Sequence, residues 1–401
     1  MTGTNVIQTG LDRLLADPAA LAGRRYGLLT HLAAVTSELV PAHLALSRLG
    51  APRDGRAVCP PVRLFGPEHG LFATAQDMEA ERDSIDPWTG VPIVSLYGDD
   101  EASLTPDPAR FEDLDLLLID LQDVGARYYT YAATAVWAAR AALGAGCEVW
   151  ILDRPNPLGG VRIEGNLRRA GLESFIGAFE HPVVHGLTLG ELAGLELGPE
   201  RDGLRVWTLS GWTRDTTWDR TGRPWLAPSP NMPTYPTALV YPGLCLVEAT
   251  TMSEGRGTTR PFLLVGGPDV DGPALARALE RRRLPGVRFV PTSFRPEFQK
   301  HAGAVCGGVE IALVDPTRLD PFRTGVELLV ELSRCDGFGW RVEPYEFVAD
   351  RPAIDLLTGD TALRRAIEAG EEPIEWIESW AAEEREFERR RAPALLYGES
   401  A

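Results

Sequence analysis

The sequence predicts an α/β protein: a Rossmann-like, doubly wound and mostly parallel sheet in the N-terminal part, then a smaller α/β domain. Three observations carry this. Short apolar runs alternate with helical patterns through roughly the first 155 residues, the rhythm of strand–helix units. "DLLLID" (115 to 120) is a continuous apolar run, as expected of a strand buried on both faces. The alternation resumes after about residue 262, beyond a stretch rich in Pro, Gly and Trp.

In order along the chain, "RYGLLT" (25 to 30) reads as a first strand, followed by a helix around 36 to 50. "VRLFG" (62 to 66) and "VPIVSLYG" (91 to 98) read as further strands before "DLLLID". "YYTYAATAVWAARAALGAG" (128 to 146) is rich in alanine and ends in glycine, the pattern of a stopped helix. "CEVWILD" (147 to 153) is the next strand. From about 155 to 261, "DRPNPLGG", "WLAPSPNMPTYPT" and "SEGRGTTRPF" are loops by composition, long enough to shape a site. "VRFVPTSF" and "GVEIALVD" are strands of the last part, with helices at 322 to 335, 360 to 369 and 373 to 390. Residues 1 to 260 are therefore expected to form the catalytic domain, and 261 to 401 the smaller domain and the other wall of a cleft.

Composition narrows the function. The chain has 401 residues, 44% of them hydrophobic, and a formal charge of -17. Such acidity argues against nucleic acid and against anionic membranes, which attract basic surfaces. Lys300 is the single lysine, so there is no G-x-x-x-x-G-K-[ST] phosphate loop and no S-x-x-K nucleophile. No G-x-G-x-x-G follows the first strand, so no dinucleotide and no other cofactor is expected. The five cysteines are scattered without a C-x-x-C, which disfavours disulfides and structural zinc. The first residues lack a basic segment followed by an apolar one, and no apolar run spans a membrane, so the expectation is a cytoplasmic protein.

Ligands of open α/β sheets bind beyond the carboxyl ends of the strands. The residues expected there are Thr30 and His31, Glu68 and His69, Asp120, Gln122 and Asp123, then Asp153, Arg154 and Asn156. In "LFGPEHG" an acid and an imidazole stand on a glycine-flanked turn at the mouth of the sheet. Taken alone, Glu68 could cap a helix and His69 could be structural. Asp123 is as well suited to capping the helix expected to start near Gly125. Arg127 would then lie in that helix's first turn, against the dipole, which asks for a ligand or a carboxylate beside it. Glu164 in "VRIEGN" is either a surface turn or a second carboxylate. His181 and His185 are four apart, but Pro182 breaks the helix face that a metal pair would use. "SEGRGTTRPF" sets Glu254, Arg256 and Arg260 among glycines, either a carboxylate cradle or a solvated turn.

"FGPEHG", "IDLQDVGARYYTY", "LDRPNPLGG", "IEGN", "VVHGLTLGELA", "PSPNMPT", "ALVYPGLCLVEATTMSEGRGTTRPF" and "LLTGD" occur in this order. Together they resemble the bacterial exo-β-N-acetylmuramidase family over nearly the whole chain. The resemblance implies a Rossmann-like domain, a smaller C-terminal domain and a cleft between them. It also implies release of N-acetylmuramic acid from the non-reducing end of peptidoglycan fragments. One loop departs from the family: T-N-x-T-G is replaced by "THLAAV", with His31, Ala33 and Ala34, which bears on sugar specificity. Glycoside hydrolysis uses two carboxyl groups. Glu68, with His69 beside it, is the first choice for one, and Glu164 for the other, with Asp123 and Asp120 competing. Arg127, Arg256 or Arg260 would meet the lactyl carboxylate of muramic acid. Asp153, Arg154, Asn156, His185, Asn231 and Glu254 would bind substrate or shape loops. The smaller domain would close the cleft or mediate a homodimer. Two alternatives stand beside this reading. One is a metal-dependent hydrolase of cell-wall fragments using His69, Asp120, Asp123 and His185. The other is a non-catalytic muramyl-sugar-binding protein on the same fold.

Overall fold

The structure, a computed structural model, describes residues 6–49, 58–76, 79, 82–98 and 101–399. In the N-terminal part the strands are β1 (Tyr26–Thr30), β2 (Arg63–Gly66), β3 (Ser84–Ile85), β4 (Pro92–Ser95), β5 (Leu116–Asp120), β6 (Glu148–Leu152) and β7 (Leu204–Trp207). They form one seven-stranded sheet in the order β3-β4-β2-β1-β5-β6-β7, parallel except for the edge strand β3. Without β3, the six parallel strands follow the doubly wound order in which the chain starts at the centre and reverses there, leaving a crevice between β1 and β5. Both central strands are buried along their whole length, which is why their sequences are continuously apolar.

Helices α1 (Gly10–Ala16), α2 (Ala42–Ser47), α3 (Tyr131–Gly144) and α4 (Leu189–Leu197) cover this sheet. The alanines of α3 are almost all buried and let it lie close against its neighbours. The second part contains α5 (Tyr235–Leu244), β8 (Leu264–Gly267), α6 (Gly272–Arg281), β9 (Val287–Phe294), β10 (Cys306–Leu313), α7 (Pro321–Leu332), α8 (Ala353–Thr358), α9 (Ala362–Ala369) and α10 (Ile374–Arg391). Its sheet is antiparallel in the order β8-β10-β9. Helices α5 and α7 cross at Gly243 and Gly325, where a Cβ on Gly243 would come within 2.0 Å of the Pro321 carbonyl.

Three expectations are corrected. The helix expected over 36 to 50 is only α2, because Val35 and Pro41 pair across a turn and Pro41 sets the helix start; residue 50 lies outside the described residues. The long helix begins at Tyr131, not Gly125, since the Asp123 carboxylate accepts the Gly125 amide and holds a turn. The Pro- and Gly-rich middle contains α4, β7 and α5 among its loops. Among the described residues, no helix is long and apolar enough to cross a membrane.

Candidate active site

Strand β2 ends at Gly66, and the next residues turn sharply, with the Gly70 amide donating to the Pro67 carbonyl at 2.9 Å. His69 takes a left-handed backbone (φ 67°), followed by Gly70 (φ 74°). Histidine tolerates that region better than most residues, and glycine adopts it freely. The turn aims Glu68 into a crevice beyond the sheet. There Thr130, at the start of α3, donates its hydroxyl to Glu68 Oε2. His69 Nδ1 faces the Ala75 carbonyl at 2.9 Å, an acceptor only, so Nδ1 carries the proton; Nε2 lies 3.9 Å from Glu68 Oε1.

Glu68, His69, Tyr128, Tyr129 and Thr130 form one side of the crevice, and Ser229, Asn231 and Met232 form its rim. The second part supplies Tyr241, Glu248, Arg256, Phe262, Tyr345 and Glu346. The rim loop is anchored by Tyr131, whose hydroxyl donates to the Pro228 carbonyl at 2.7 Å, and by Asn231 Nδ2, which donates to Gln76 at 2.8 Å. Arg256 donates to Glu248 at 2.7 Å, and the Tyr345 hydroxyl donates to the other Glu248 oxygen at 2.6 Å. Glu248 is thus held by two donors. The cavity volume at this point is about 40 Å³.

Several residues expected at the site do other work. Glu164 does not line the crevice: it is buried against the start of α7, where it accepts the Arg323 amide at 2.7 Å. Burial pushes its carboxyl up to about 8. Asp123 sits just behind the crevice, and burial raises it to about 7 against the pull of the Gly125 and Val124 amides. Arg127 binds backbone and not a carboxylate: it donates to the carbonyls of Asn166, His181, Leu357 and Thr358 at 2.7–3.0 Å. Arg154 forms a two-pronged buried pair with Asp120, at 2.5 and 2.9 Å. Asp153 accepts the Gly190 amide and the Thr188 hydroxyl at the start of α4. Asn156 bonds Leu158 and Leu187, and its amide fills the space where a Cβ on Gly125 would sit.

His185 accepts the Leu187 amide within the core, and His181 pairs with Glu196. Glu254 binds Lys300 at 2.9 Å, and Arg260 forms a half-exposed pair with Glu310. His31 in the departing loop is wholly buried, accepts the Gln122 amide at 2.9 Å and is pushed down to about 3, first by burial and then by Arg154. Among the described residues, no three His, Cys, Asp or Glu side chains gather as a metal-binding group. Of the residues singled out from the sequence, Glu68, His69, Asn231 and Arg256 line the crevice. Glu248, Tyr345 and Glu346 were missed. The "VEAT" and "PYEF" stretches holding them carry no sign of approach from the second part.

These features define a class: a two-part α/β protein of doubly wound order, with a carboxylate-lined crevice where its parts meet. The chain belongs to the exo-β-N-acetylmuramidase NamZ family, whose N-terminal profile matches residues 26–236 and whose C-terminal profile matches 239–397. It is 38% identical, over 98% of its length and 91% of the relative's, to the peptidoglycan β-N-acetylmuramidase NamZ of Bacillus subtilis. Its fold is similar to that of a crystallised DUF1343 family protein from Bacteroides fragilis, with TM-score 0.84 and 30% identity, covering 98% of this chain and 99% of that one. A second DUF1343 protein from the same organism gives TM-score 0.74 at 26% identity, covering 99% and 100%.

Proposed function

We propose that the protein is an exo-acting glycoside hydrolase that releases N-acetylmuramic acid from the non-reducing end of peptidoglycan fragments, with Glu68 as one of its two catalytic carboxyl groups. The observation that carries this is the placement of Glu68 on a tight turn, at the carboxyl end of β2, facing a crevice whose other wall is the second part. A crevice walled on several sides receives the end of a saccharide, not its middle, which suits exo action. Thr130 holds Glu68 in one orientation, so its carboxyl is positioned before substrate arrives. Among the described residues, Arg256 is the cation lining the crevice, where it is paired with Glu248, and it is the group best placed to meet the lactyl carboxylate. Arg127 and Arg260 are committed elsewhere.

The test is hydrolysis of a chromogenic β-N-acetylmuramide beside the matching N-acetylglucosaminide. Release from the muramide by the parent protein, reduced about 100-fold or more in Glu68→Gln, is the expected result. Full turnover by a folded Glu68→Gln would remove Glu68 from the chemistry. Equal release from both sugars would remove the role given to Arg256.

A further inference from the structure

Residues 345–348 make a tight reversal in the second part. Tyr345 and Val348 exchange both backbone hydrogen bonds, at 3.0 and 2.9 Å. The two residues between them, Glu346 and Phe347, both have positive φ, 47° and 67°. Such a turn favours Asn-Gly or Gly-Gly, and two consecutive side-chain-bearing residues in the left-handed region are held there against their own preference. The surroundings hold them there. Phe347 packs on Tyr97 with ring centroids 5.7 Å apart, and the Tyr345 hydroxyl is fixed by Glu248. The turn delivers Glu346 into the crevice, where it is only 4% exposed and shares the lining with Glu68. The Tyr97 hydroxyl, from just beyond β4, points to Glu346 Oε2 at 3.4 Å, so the two parts touch at the crevice mouth.

Three carboxylates line the crevice: Glu68, Glu248 and Glu346. Glu248 and Glu346 both have partners, and of the two it is Glu346 that the left-handed turn delivers into the crevice. Glu164 and Asp123, the other carboxyl groups considered for the role, do not line it. We propose that Glu346 is the second substrate-facing carboxylate and acts with Glu68 on the glycosidic bond. This rests on the muramidase reading above. Hydrolysis adds water across the C1–O bond. One carboxyl gives its proton to the departing oxygen. The other carboxylate takes a proton from the attacking water, or bonds C1 itself before water displaces it. Water is the only co-reactant. With one carboxylate on each part, the pair is complete only when the turn lies against the sheet end. Closure and chemistry are thereby linked.

The experiment compares the parent protein, Glu346→Gln and Glu68→Gln on the chromogenic β-N-acetylmuramide, with calorimetric binding of free N-acetylmuramic acid. Glu346→Gln is expected to lower kcat about 100-fold or more. It should also remove one limb of the pH profile of kcat/KM and leave sugar binding within a few-fold. A parent-like kcat and pH profile in Glu346→Gln, with Glu68→Gln inactive, overturns the pairing and leaves the muramidase reading standing. No turnover by the parent protein overturns both. Should Glu346→Gln fail to fold, Glu346→Asp replaces it, withdrawing the carboxyl by one methylene. A fall of about tenfold or more then supports the pairing, because displacement near 1 Å is enough to cost that much, and an unchanged kcat overturns it.

Discussion

Glu164 shows what burial does to a carboxyl set away from the crevice. One oxygen accepts the Arg323 amide, and the other has no hydrogen-bond partner among the described residues. Burial raises its pKa from 4.5 to about 8, outweighing the Arg323 amide and the nearby Arg162. The folded protein therefore holds a proton that the unfolded chain releases above 4.5. Stability from this group is fully present below that value, falls as pH rises, and is lost above about 8. Glu164→Gln keeps the shape of the protonated acid and cannot ionise. Melting curves should thus coincide for parent and Glu164→Gln near pH 4.5 and separate toward pH 8 and above, the mutant melting higher. A constant difference across that range would mean that Glu164 stays ionised in the fold. Sequence alone could not place this residue. "IEGN" reads equally as a surface turn or an active-site carboxylate, and only the approach of α7, more than 150 residues later, decides. Glu68 was legible because strand, glycine turn and acid are all local. Glu346 was not, because its value depends on a turn meeting a distant sheet end.

At the scale of elements, the order of strands was readable from apolar runs and the stop signals after them. Elements that contradict local composition were not. Helix α4 lies in the Pro- and Gly-rich middle, and it forms because its start is satisfied twice. Thr188 accepts the Glu191 amide at 3.3 Å, and Glu191 returns a bond to the Thr188 amide at 3.0 Å, a reciprocal cap. The Thr188 hydroxyl then donates to Asp153 at 2.7 Å, and Asp153 also accepts the Gly190 amide. A residue read as a substrate ligand is thus the anchor that pins a helix start to the end of β6. Helix α5 likewise starts behind Thr234, which accepts the Thr237 amide, and Pro236 falls in its first turn where proline is tolerated. Thr188→Ala should cost about 1–2 kcal/mol in urea unfolding. Thr188→Ser should recover most of that loss. Because α4 does not line the crevice, kcat on the muramide should stay at the parent value. Activity lost without loss of stability would place α4 in the catalytic machinery instead.

Over the whole molecule, the near-absence of lysine has a structural counterpart. Arg127, Arg154, Arg214, Arg223 and Arg391 are all buried, and their forks gather backbone carbonyls or carboxylates from distant segments. A lysine presents its three donors from a single atom, whereas the arginine fork spreads five over a rigid plane. Two of these arginines join the parts. Arg127 in the first part holds the carbonyls of Leu357 and Thr358 at the end of α8, together with those of Asn166 and His181. Arg391 at the end of α10 holds the carbonyls of Gly160, His185 and Gly186. If the parts are joined in this way, they unfold together. Far-UV circular dichroism and tryptophan fluorescence should report one coincident urea transition for the parent protein. Arg127→Met removes the donor to four buried carbonyls, and each buried group left unpaired costs about 1–3 kcal/mol. The expected loss is about 3 kcal/mol or more, well beyond that of Thr188→Ala. The two probes should also cease to coincide, because the clip between β5 and α8 is gone. Coincident transitions with unchanged stability in Arg127→Met would show that the seam is held by its apolar contacts alone, and would return Arg127 to the list of groups free to meet substrate.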